Sequence, residues 1–163
     1  MKGKTVTESS LFIVQQMTQN DANLAGNVHG GIIMKQIDTA AGIVAARHAS
    51  SNVVTASIDR LDFFNPVFVG DLLKVNACIN YVGTSSMEVG ARVEAENFLT
   101  GEVRHTASAY LTFVALDSEK KPTNVPPLEL KTEEEKRRHK EAEQRRRFRL
   151  EERKRERKAH KFS

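Results

Sequence analysis

Apolar and polar residues follow two different periodicities along this chain, and the change falls near residue 50. From Ile32 to Ala49, apolar residues recur every three or four positions and fill most of a helical circumference, which predicts a helix buried on nearly all sides. Asp38 interrupts this segment, and a carboxylate is costly to bury without a partner. The pattern therefore predicts a central helix that carries one exceptional acidic residue.

Beyond residue 52, apolar residues alternate with polar ones, which is typical of strands with one buried and one solvated face. A strand is also predicted over 11–18. In the segment 53–62, the alternation places Val54, Ala56 and Ile58 on the apolar face and Thr55, Ser57 and Asp59 on the polar face. Three longer segments follow, with short turns at 69–71, 83–85 and 100–101. Long strands joined by short turns indicate an antiparallel sheet.

The apolar face of this sheet needs a cover, and the central helix is the one apolar helix that the sequence offers. A helix of 18–20 residues spans about 27–30 Å, enough to lie across five strands. The predicted fold class is therefore α+β, with a long helix wrapped by a five-stranded antiparallel sheet.

The composition of the chain changes after residue 120. Three prolines within 122–127 can neither continue a helix nor donate to a sheet, and they predict a linker over 121–130. Residues 131–163 carry 15 Lys and Arg against 8 Asp and Glu, a net charge of +7, whereas the preceding residues carry −3. The sequence thus predicts a folded domain over 1–120 and a charged helix over 131–163, with Thr132 as its N-cap.

This charged C-terminal helix has two interpretations. Its few apolar residues favour a solvated helix that is supported by opposite charges one turn apart. The alternative is an arm that binds nucleic acid or phosphate. The shortage of aromatic residues for stacking on bases makes nucleic acid the less favoured partner.

Composition also narrows the class of protein. Residues 1–7 are polar and unlike a signal peptide, and no apolar run approaches the ~20 residues that span a bilayer. Cys78 is the only cysteine, which excludes a disulfide framework and predicts a small buried residue. The expectation is a cytoplasmic protein without a membrane partner.

Candidate chemistry lies in the Asn- and Gly-rich loop before the central helix. Gly30 and Gly31 open the helix, whose first N–H groups lack partners within it and could hold an oxyanion. Asn23 and His29 add side-chain donors in the same loop. The simpler alternative is that the glycines permit a tight turn and that His29 is structural.

Asp38 is the candidate general base or nucleophile, and the alternative is an acid that is satisfied by a neighbouring donor. His29 and Asp38 are nine residues apart, about 13 Å along a helix. Donors at the start of the helix therefore cannot share a small reacting group with an acid at its middle. If both act, the spacing predicts an active site shared between two chains of a dimer.

No other catalytic motif competes in the sequence. The serine-nucleophile elbow, the phosphate-binding loop and the dinucleotide-binding glycine motif are all absent. The five histidines show no metal-ligand spacing with acids, so no metal is expected.

The order of these residues resembles a known family. Asn23-x-x-Gly26-x-x-His29-Gly30-Gly31 followed by Asp38 is similar to the hotdog-fold acyl-CoA thioesterases, and the surrounding sequence resembles their cytosolic acyl-CoA hydrolase branch. Further similar segments are Phe64-x-Pro66-Val67-x-x-Gly70-Asp71 and Val82-Gly83-Thr84-Ser85-Ser86-Met87. The resemblance covers residues 11–116.

The resemblance implies a hotdog fold that dimerises through its sheet, often as a trimer of dimers. Asp38 would activate or orient water, or attack the thioester carbonyl. Across the interface, the N–H of Gly30 or Gly31 would hold the thioester oxygen, Asn23 would place water or substrate, and His29 would support the loop. Some relatives also use a hydroxyl to fix the water, for which Thr55 and Ser57 are the nearby candidates.

The resemblance further implies that CoA enters as part of the substrate, without a separate cofactor. The expected substrate-binding residues are Thr84, Ser85 and Ser86, which would lie along the pantetheine, together with Arg60 and Pro66. The expected function is hydrolysis of fatty acyl-CoA to CoA and a carboxylic acid. Two alternatives remain open: a hydroxyacyl hydratase or dehydratase, and an acyl-CoA-binding regulator.

Overall fold

A computed structural model of the chain describes residues 1–160. Within these residues, a short 3-10 turn at Gln19–Asp21 precedes the longest buried helix. The helices and strands are β1 (Lys4–Thr5), α1 (Val6–Ser9), β2 (Leu11–Gln16), α2 (Gly30–Ala49), β3 (Asn52–Phe63), β4 (Leu72–Val82), β5 (Ser86–Asn97), β6 (Glu102–Leu116), β7 (Leu128–Glu129) and α3 (Glu133–His160).

Five strands form one antiparallel sheet in the order β2-β4-β5-β6-β3, and α2 packs against it. The short strands β1 and β7 pair in parallel as a separate ribbon. This arrangement confirms the predicted α+β architecture of a long helix wrapped by a five-stranded sheet. Strand β3 lies at one edge, where its only strand neighbour in the described chain is β6.

The core lies between α2 and one face of the sheet. The predicted alternation is confirmed on the central strands for the face that packs against α2, but Asn80, Glu88 and Thr112 on the opposite face are buried too. The main contributors are Ile33, Ile37, Ala40, Ala41, Val44 and Ala45 on α2, and Leu73, Val75, Ala77, Ile79, Met87, Val89, Val93, Ala107, Leu111 and Phe113 on the strands.

Burial of α2 on nearly all sides is wrong for the single chain. Met34 and Ile43 are exposed, because the sheet covers only one side of the helix. Asp38 lies at the boundary and is half-buried. The exposed side of α2 therefore keeps apolar residues beside the one acid.

The predicted faces of β3 are also wrong. Register shifts between Thr55 and Ser57 and between Ile58 and Arg60 interrupt its pairing with β6, and such bulges change which face a side chain occupies. Thr55 consequently points towards α2. Val54 and Ile58 are exposed on this edge strand instead of filling the core.

The segment predicted as a linker is attached to the domain. Val125 is buried, and the Nε2–H of buried His48 donates to the carbonyl oxygen of Pro126 at 2.8 Å. The boundaries 1–120, 121–130 and 131–163 stay a prediction, but the second segment contacts the first directly.

The solvated interpretation of the C-terminal helix is wrong for its sheet-facing side as far as Arg149, whereas the predicted ion pairs one turn apart are confirmed at Lys136–Glu133 and Arg137–Glu141. Helix α3 lies on the face of the sheet opposite α2, where Ala142 is fully buried. Arg145 pairs with Glu88 at 2.7 Å and Arg149 pairs with Asp59 at 2.6 Å. Residues 151–159 are exposed, as predicted. The apolar periodicity of the sequence does not predict this docking, because the contacts between α3 and the sheet are made mainly by charged side chains.

Cys78 faces the same helix and is only partly buried. Its sulfur accepts a hydrogen bond from Nη1 of Arg138 at 3.3 Å. Burial raises the pKa of the Cys78 thiol, while the Arg138 guanidinium acts in the opposite direction. The prediction of a small buried residue is therefore only partly correct, because Cys78 lies under α3 and not in the apolar core.

Neither a membrane-spanning helix nor a cluster of metal ligands is found in the part of the chain that the structure describes. None of its helices has a stretch long and apolar enough to cross a membrane. Within the same residues, no three His, Cys, Asp or Glu side chains cluster as metal ligands.

Candidate active site

Helix α2 begins at a capped N-terminus. His29 is the N-cap residue, and its Nδ1 accepts a hydrogen bond from the backbone N–H of Gly31 at 2.9 Å. Since Nδ1 is the acceptor, a neutral His29 carries its proton on Nε2. The backbone N–H of His29 donates to the carbonyl oxygen of Asp21, which ties the cap to the preceding turn. His29 thus supports the loop, and Gly31 is already paired.

Gly30 is the remaining backbone donor at this helix start. As the first residue of α2, Gly30 has no acceptor for its N–H within the helix. No other group in the described residues accepts a hydrogen bond from this N–H either. Gly30 opens onto a cavity of about 310 Å³ that Asn23, Phe63, Phe64 and Pro66 also line. Between the two predicted oxyanion donors, the geometry favours Gly30.

Asn23 lies in the same loop and is exposed. Its Oδ1 accepts the backbone N–H groups of Ala25 and Asn27 at 2.9 and 3.3 Å. Its own backbone N–H donates to the carbonyl oxygen of Asn27 at 2.7 Å. The oxygen therefore shapes the turn, which leaves the Nδ2 amide group as the part of Asn23 that can donate to a ligand.

Asp38 has a hydroxyl partner on the edge strand. The Oγ1–H of Thr55 donates to Oδ1 of Asp38 at 2.8 Å. The bond holds the carboxylate in one orientation and leaves Oδ2 to accept a proton or a water hydrogen. Of the two candidate hydroxyls, Ser57 is excluded, because it donates to Asp59 at 2.6 Å on the other side of the sheet.

A single chain keeps the two halves of the site apart. Gly30 and Asp38 lie on one uninterrupted helix, eight residues or about 12 Å apart along its axis. Gly30 is next to the ring of Phe63 at the end of β3, whereas Asp38 bonds Thr55 near its beginning. The predicted separation is therefore present in the structure.

The predicted pantetheine segment lies at the same end of the sheet as Thr55. Ser86 is opposite Val114, which is opposite Val54, so the segment is two strand spacings, about 10 Å, from the start of β3. The carbonyl oxygens of Thr84 and Ser85 accept from the N–H groups of Val125 and Ala115. These bonds fix the backbone and leave the side-chain hydroxyls of Thr84 and Ser85 without an intramolecular hydrogen bond in the described residues.

The two remaining predicted residues lie elsewhere. Pro66 lines the cavity beside Gly30. Arg60 is exposed on the edge strand β3 and pairs with Asp62 at 2.5 Å. Pro66 thus joins the helix-start half of the site, while Arg60 belongs to the free edge.

A helix wrapped in an antiparallel sheet, with a glycine N–H at the helix start and an acid at its middle, defines a hotdog-fold protein. The sequence comparisons assign its family. The model of the thioesterase superfamily matches residues 25–101. The acyl-CoA thioester hydrolase YkhA of Bacillus subtilis, itself described as uncharacterized, is 42% identical over 128 residues, which are 78% of this chain and 74% of that protein. The chain belongs to the thioesterase superfamily, among the acyl-CoA thioester hydrolases.

A mammalian relative is longer than this chain. The cytosolic acyl coenzyme A thioester hydrolase of Rattus norvegicus is 37% identical over 139 residues, which are 84% of this chain but 36% of that protein. The chain therefore spans about a third of the length of this relative.

Solved structures match the whole fold. An acyl-CoA hydrolase from Staphylococcus aureus, in complex with butyryl-CoA, CoA and CoA disulfide, has a TM-score of 0.89 and 36% identity, covering 98% of this chain and 97% of its own. An apo-hexameric acyl-CoA thioesterase has a TM-score of 0.90 and 39% identity, covering 93% and 97%. Alanine variants of the S. aureus protein replace an asparagine, an aspartate and a threonine that are spaced along its chain as Asn23, Asp38 and Thr55 are here.

Proposed function

We propose that this chain hydrolyses acyl-CoA thioesters to CoA and a carboxylic acid, at active sites shared between two copies. The observation that carries the proposal is the Asp38–Thr55 hydrogen bond, which presents an oriented carboxylate about 12 Å along α2 from the Gly30 N–H. The family relationship and the CoA-bound S. aureus structure support the substrate class.

The edge strand supports the shared site. Among the described residues, β3 has one strand neighbour and carries exposed Val54 and Ile58, and such an edge readily pairs with another strand. Antiparallel pairing of two β3 strands about a two-fold axis brings the Phe63 end of one strand to the Asn52 end of the other. The Gly30 of one copy then approaches Asp38 and Thr55 of the second. Hexameric relatives support assembly, and we propose a dimer that assembles as a trimer of dimers.

The proposed reaction adds water to the thioester carbonyl. The Gly30 N–H of one copy stabilises the oxygen as negative charge develops on it. Asp38 of the other copy, held by Thr55, orients the water and accepts its proton. Alternatively, Asp38 attacks the carbonyl carbon itself and forms a mixed anhydride, which water then hydrolyses to free the Asp38 carboxylate. The C–S bond breaks, the CoA sulfur takes a proton, and the acyl group leaves as a carboxylic acid. The Nδ2 amide of Asn23 is the donor that positions the water or substrate.

The remaining assignments belong to the same proposal. Thr84, Ser85 and Ser86 lie along the pantetheine, Pro66 lines the acyl or thioester end, and Arg60 interacts with the CoA phosphates. CoA is part of the substrate, and no separate cofactor or nucleic-acid partner is proposed. A cytoplasmic location is supported by the name of the rat relative.

Thiol release from a panel of acyl-CoA substrates of different chain length tests this function. Asp38→Ala is expected to lower kcat at least about 100-fold, as for loss of a general base. Lys35→Ala, which changes an exposed residue one turn earlier on α2, serves as the matched control and is expected to retain activity. Circular dichroism checks the fold of both variants. Full activity in folded Asp38→Ala, or CoA binding without hydrolysis by the unmodified protein, would contradict the proposal.

A further inference from the structure

Helix α3 crosses the outer face of the sheet from β4 towards the free edge. Arg138 contacts Cys78 on β4, Arg145 pairs with Glu88 on β5, and Arg149 pairs with Asp59 on β3. The eleven residues from 138 to 149 rise about 16 Å, and β4 and β3 are three strand spacings, about 14 Å, apart. The two lengths agree, so α3 runs almost perpendicular to the strands and reaches the edge at Arg149.

The helix continues beyond the edge strand. Residues 150–160, which we name the α3 arm, extend about 16 Å further. Leu150 is 40% exposed and residues 151–159 are exposed. The side of α3 that faces the sheet therefore has no strand of the described chain beneath it beyond β3.

We propose that the α3 arm packs against helix α3 of a second copy of this chain, across the seam between two paired β3 strands. The inference rests on the dimer of the proposed function, because it takes β3 as the common edge. The seam lies half a strand spacing, about 2.4 Å, beyond β3. A helix that rises 1.5 Å per residue crosses that seam one or two residues after Arg149, which is at Leu150.

The strand register sets the distance between the two helices. The midpoint of β3 lies between Ser57 and Ile58, and α3 crosses the strand at Asp59. In the proposed dimer, pairing of β3 along its full length puts the two-fold axis at this midpoint, and the two crossing points are then three residues, about 10 Å, apart along the strands. Packed helices have axes about 8–10 Å apart, so the two α3 helices lie side by side and antiparallel.

The side of α3 that faces the midpoint is identified by its contacts. His139 and Arg146 lie beside the ring of Tyr81, and the pairing register connects Tyr81 through Glu88 and Thr112 to Ser57. Leu150 follows Arg146 by four residues and shares its side of the helix. The proposed contact therefore brings the two exposed Leu150 side chains together near the two-fold axis.

Cysteine cross-linking with a short bismaleimide tests this contact in the full chain, in a Cys78→Ser background. Leu150→Cys is expected to convert most of the protein into covalent dimers on denaturing gels. Lys140→Cys is the matched control, because residue 140 is also exposed but is about 30 Å from its two-fold mate. Native mass measurement, circular dichroism and thiol release accompany each variant.

The outcomes separate the arm from the enzyme. Cross-linking of Leu150→Cys alone supports the arm contact. A protein that is dimeric and active but is not linked at residue 150, or is linked equally at residue 140, overturns the arm contact and leaves the thioesterase proposal intact. A monomeric protein overturns both the arm contact and the shared site.

Discussion

At the scale of residues, the proposed chemistry depends on the few donors and acceptors of the site that have no hydrogen-bond partner within the described residues. Gly31 is paired with His29, and the Asn23 oxygen is paired within its own turn. The Gly30 N–H, the Asn23 amide and one oxygen of Asp38 are left to meet a substrate. Thr55 is the residue that restricts Asp38, since its hydroxyl occupies the other carboxylate oxygen at 2.8 Å.

Thr55→Val is therefore expected to lower kcat about 10- to 100-fold, which corresponds to losing one hydrogen bond to a charged group. Valine keeps the shape of threonine, so the KM and the melting temperature should change little. Steady-state thiol release with several acyl-CoA substrates measures the effect. Thr55→Ser retains the hydroxyl and should preserve most of kcat. Equal activity of the Val and Ser variants would remove Thr55 from the mechanism.

At the scale of elements, α3 is held to the sheet by charged contacts. Glu88 is only 2% exposed and accepts from both Nε and Nη2 of Arg145 at 3.2 and 2.7 Å. The Arg145 guanidinium also lies 3.7 Å from the centre of the Tyr110 ring. A buried carboxylate of this kind makes the covering helix part of the fold, because removing the helix would leave Glu88 with the Asn80 amide but without a charged partner.

Glu88→Ala is expected to lower the free energy of unfolding by about 3 kcal/mol, since breaking a buried ion pair on one side leaves the other charge uncompensated. Urea denaturation followed by circular dichroism measures the change. Glu143→Ala, at an exposed position of α3, should change the free energy of unfolding by less than about 0.5 kcal/mol. Similar values for the two variants would mean that the Glu88–Arg145 pair contributes no specific stability.

The attachment of the segment after β6 predicts a pH dependence. Burial lowers the pKa of His48, whose Nε2–H donates to Pro126. The folded protein therefore keeps His48 neutral, while the unfolded chain takes up a proton below about pH 6.5. The stabilisation is complete above that pH and is lost as the pH falls towards the lowered folded pKa.

His48→Gln, whose amide can still donate to Pro126, should flatten this dependence. Melting temperatures at several pH values between 7 and 5 should fall less in the variant than in the unmodified protein. Parallel curves for the two proteins would show that another group controls the loss of stability on acidification.

The sequence was sufficient for α2, α3 and the five strands of the main sheet, but not for the short elements β1, α1 and β7 or for the contacts that α3 and β3 make. Periodicity predicted α2 and the strands because burial on one face leaves a repeat of 3.6 or 2 in the chain. Periodicity predicted the wrong faces of β3, because bulges shift the alternation there. It also missed the docking of α3, because the side that contacts the sheet consists largely of arginines, which normally face solvent. The loop residues followed from motif and chemistry. The position of the bulge between Thr55 and Ser57 was needed to identify Thr55, and not Ser57, as the hydroxyl that faces Asp38.

At the scale of the whole molecule, the free edge of β3, the exposed side of α2 and the overhanging end of α3 lie where one chain stops. Met34 and Ile43 on α2 and Val54 and Ile58 on β3 are exposed apolar residues, and the proposed contact with a second copy buries them. The half-sites at Gly30 and Asp38 are separated along the same helix. The proposed dimer accounts for all of these features.

Mixing two inactive variants tests the shared site most directly. Asn23→Ala and Asp38→Ala chains each lose one half of every site in their own dimers, but a mixed dimer contains one site with both residues intact. Random mixing by co-expression should restore about a quarter of the unmodified activity, because half of the dimers are mixed and each has one good site. Tagged chains and two-step purification establish that mixed dimers are present. Activity recovered in that fraction is the predicted result, and no recovery in purified mixed dimers would contradict the account.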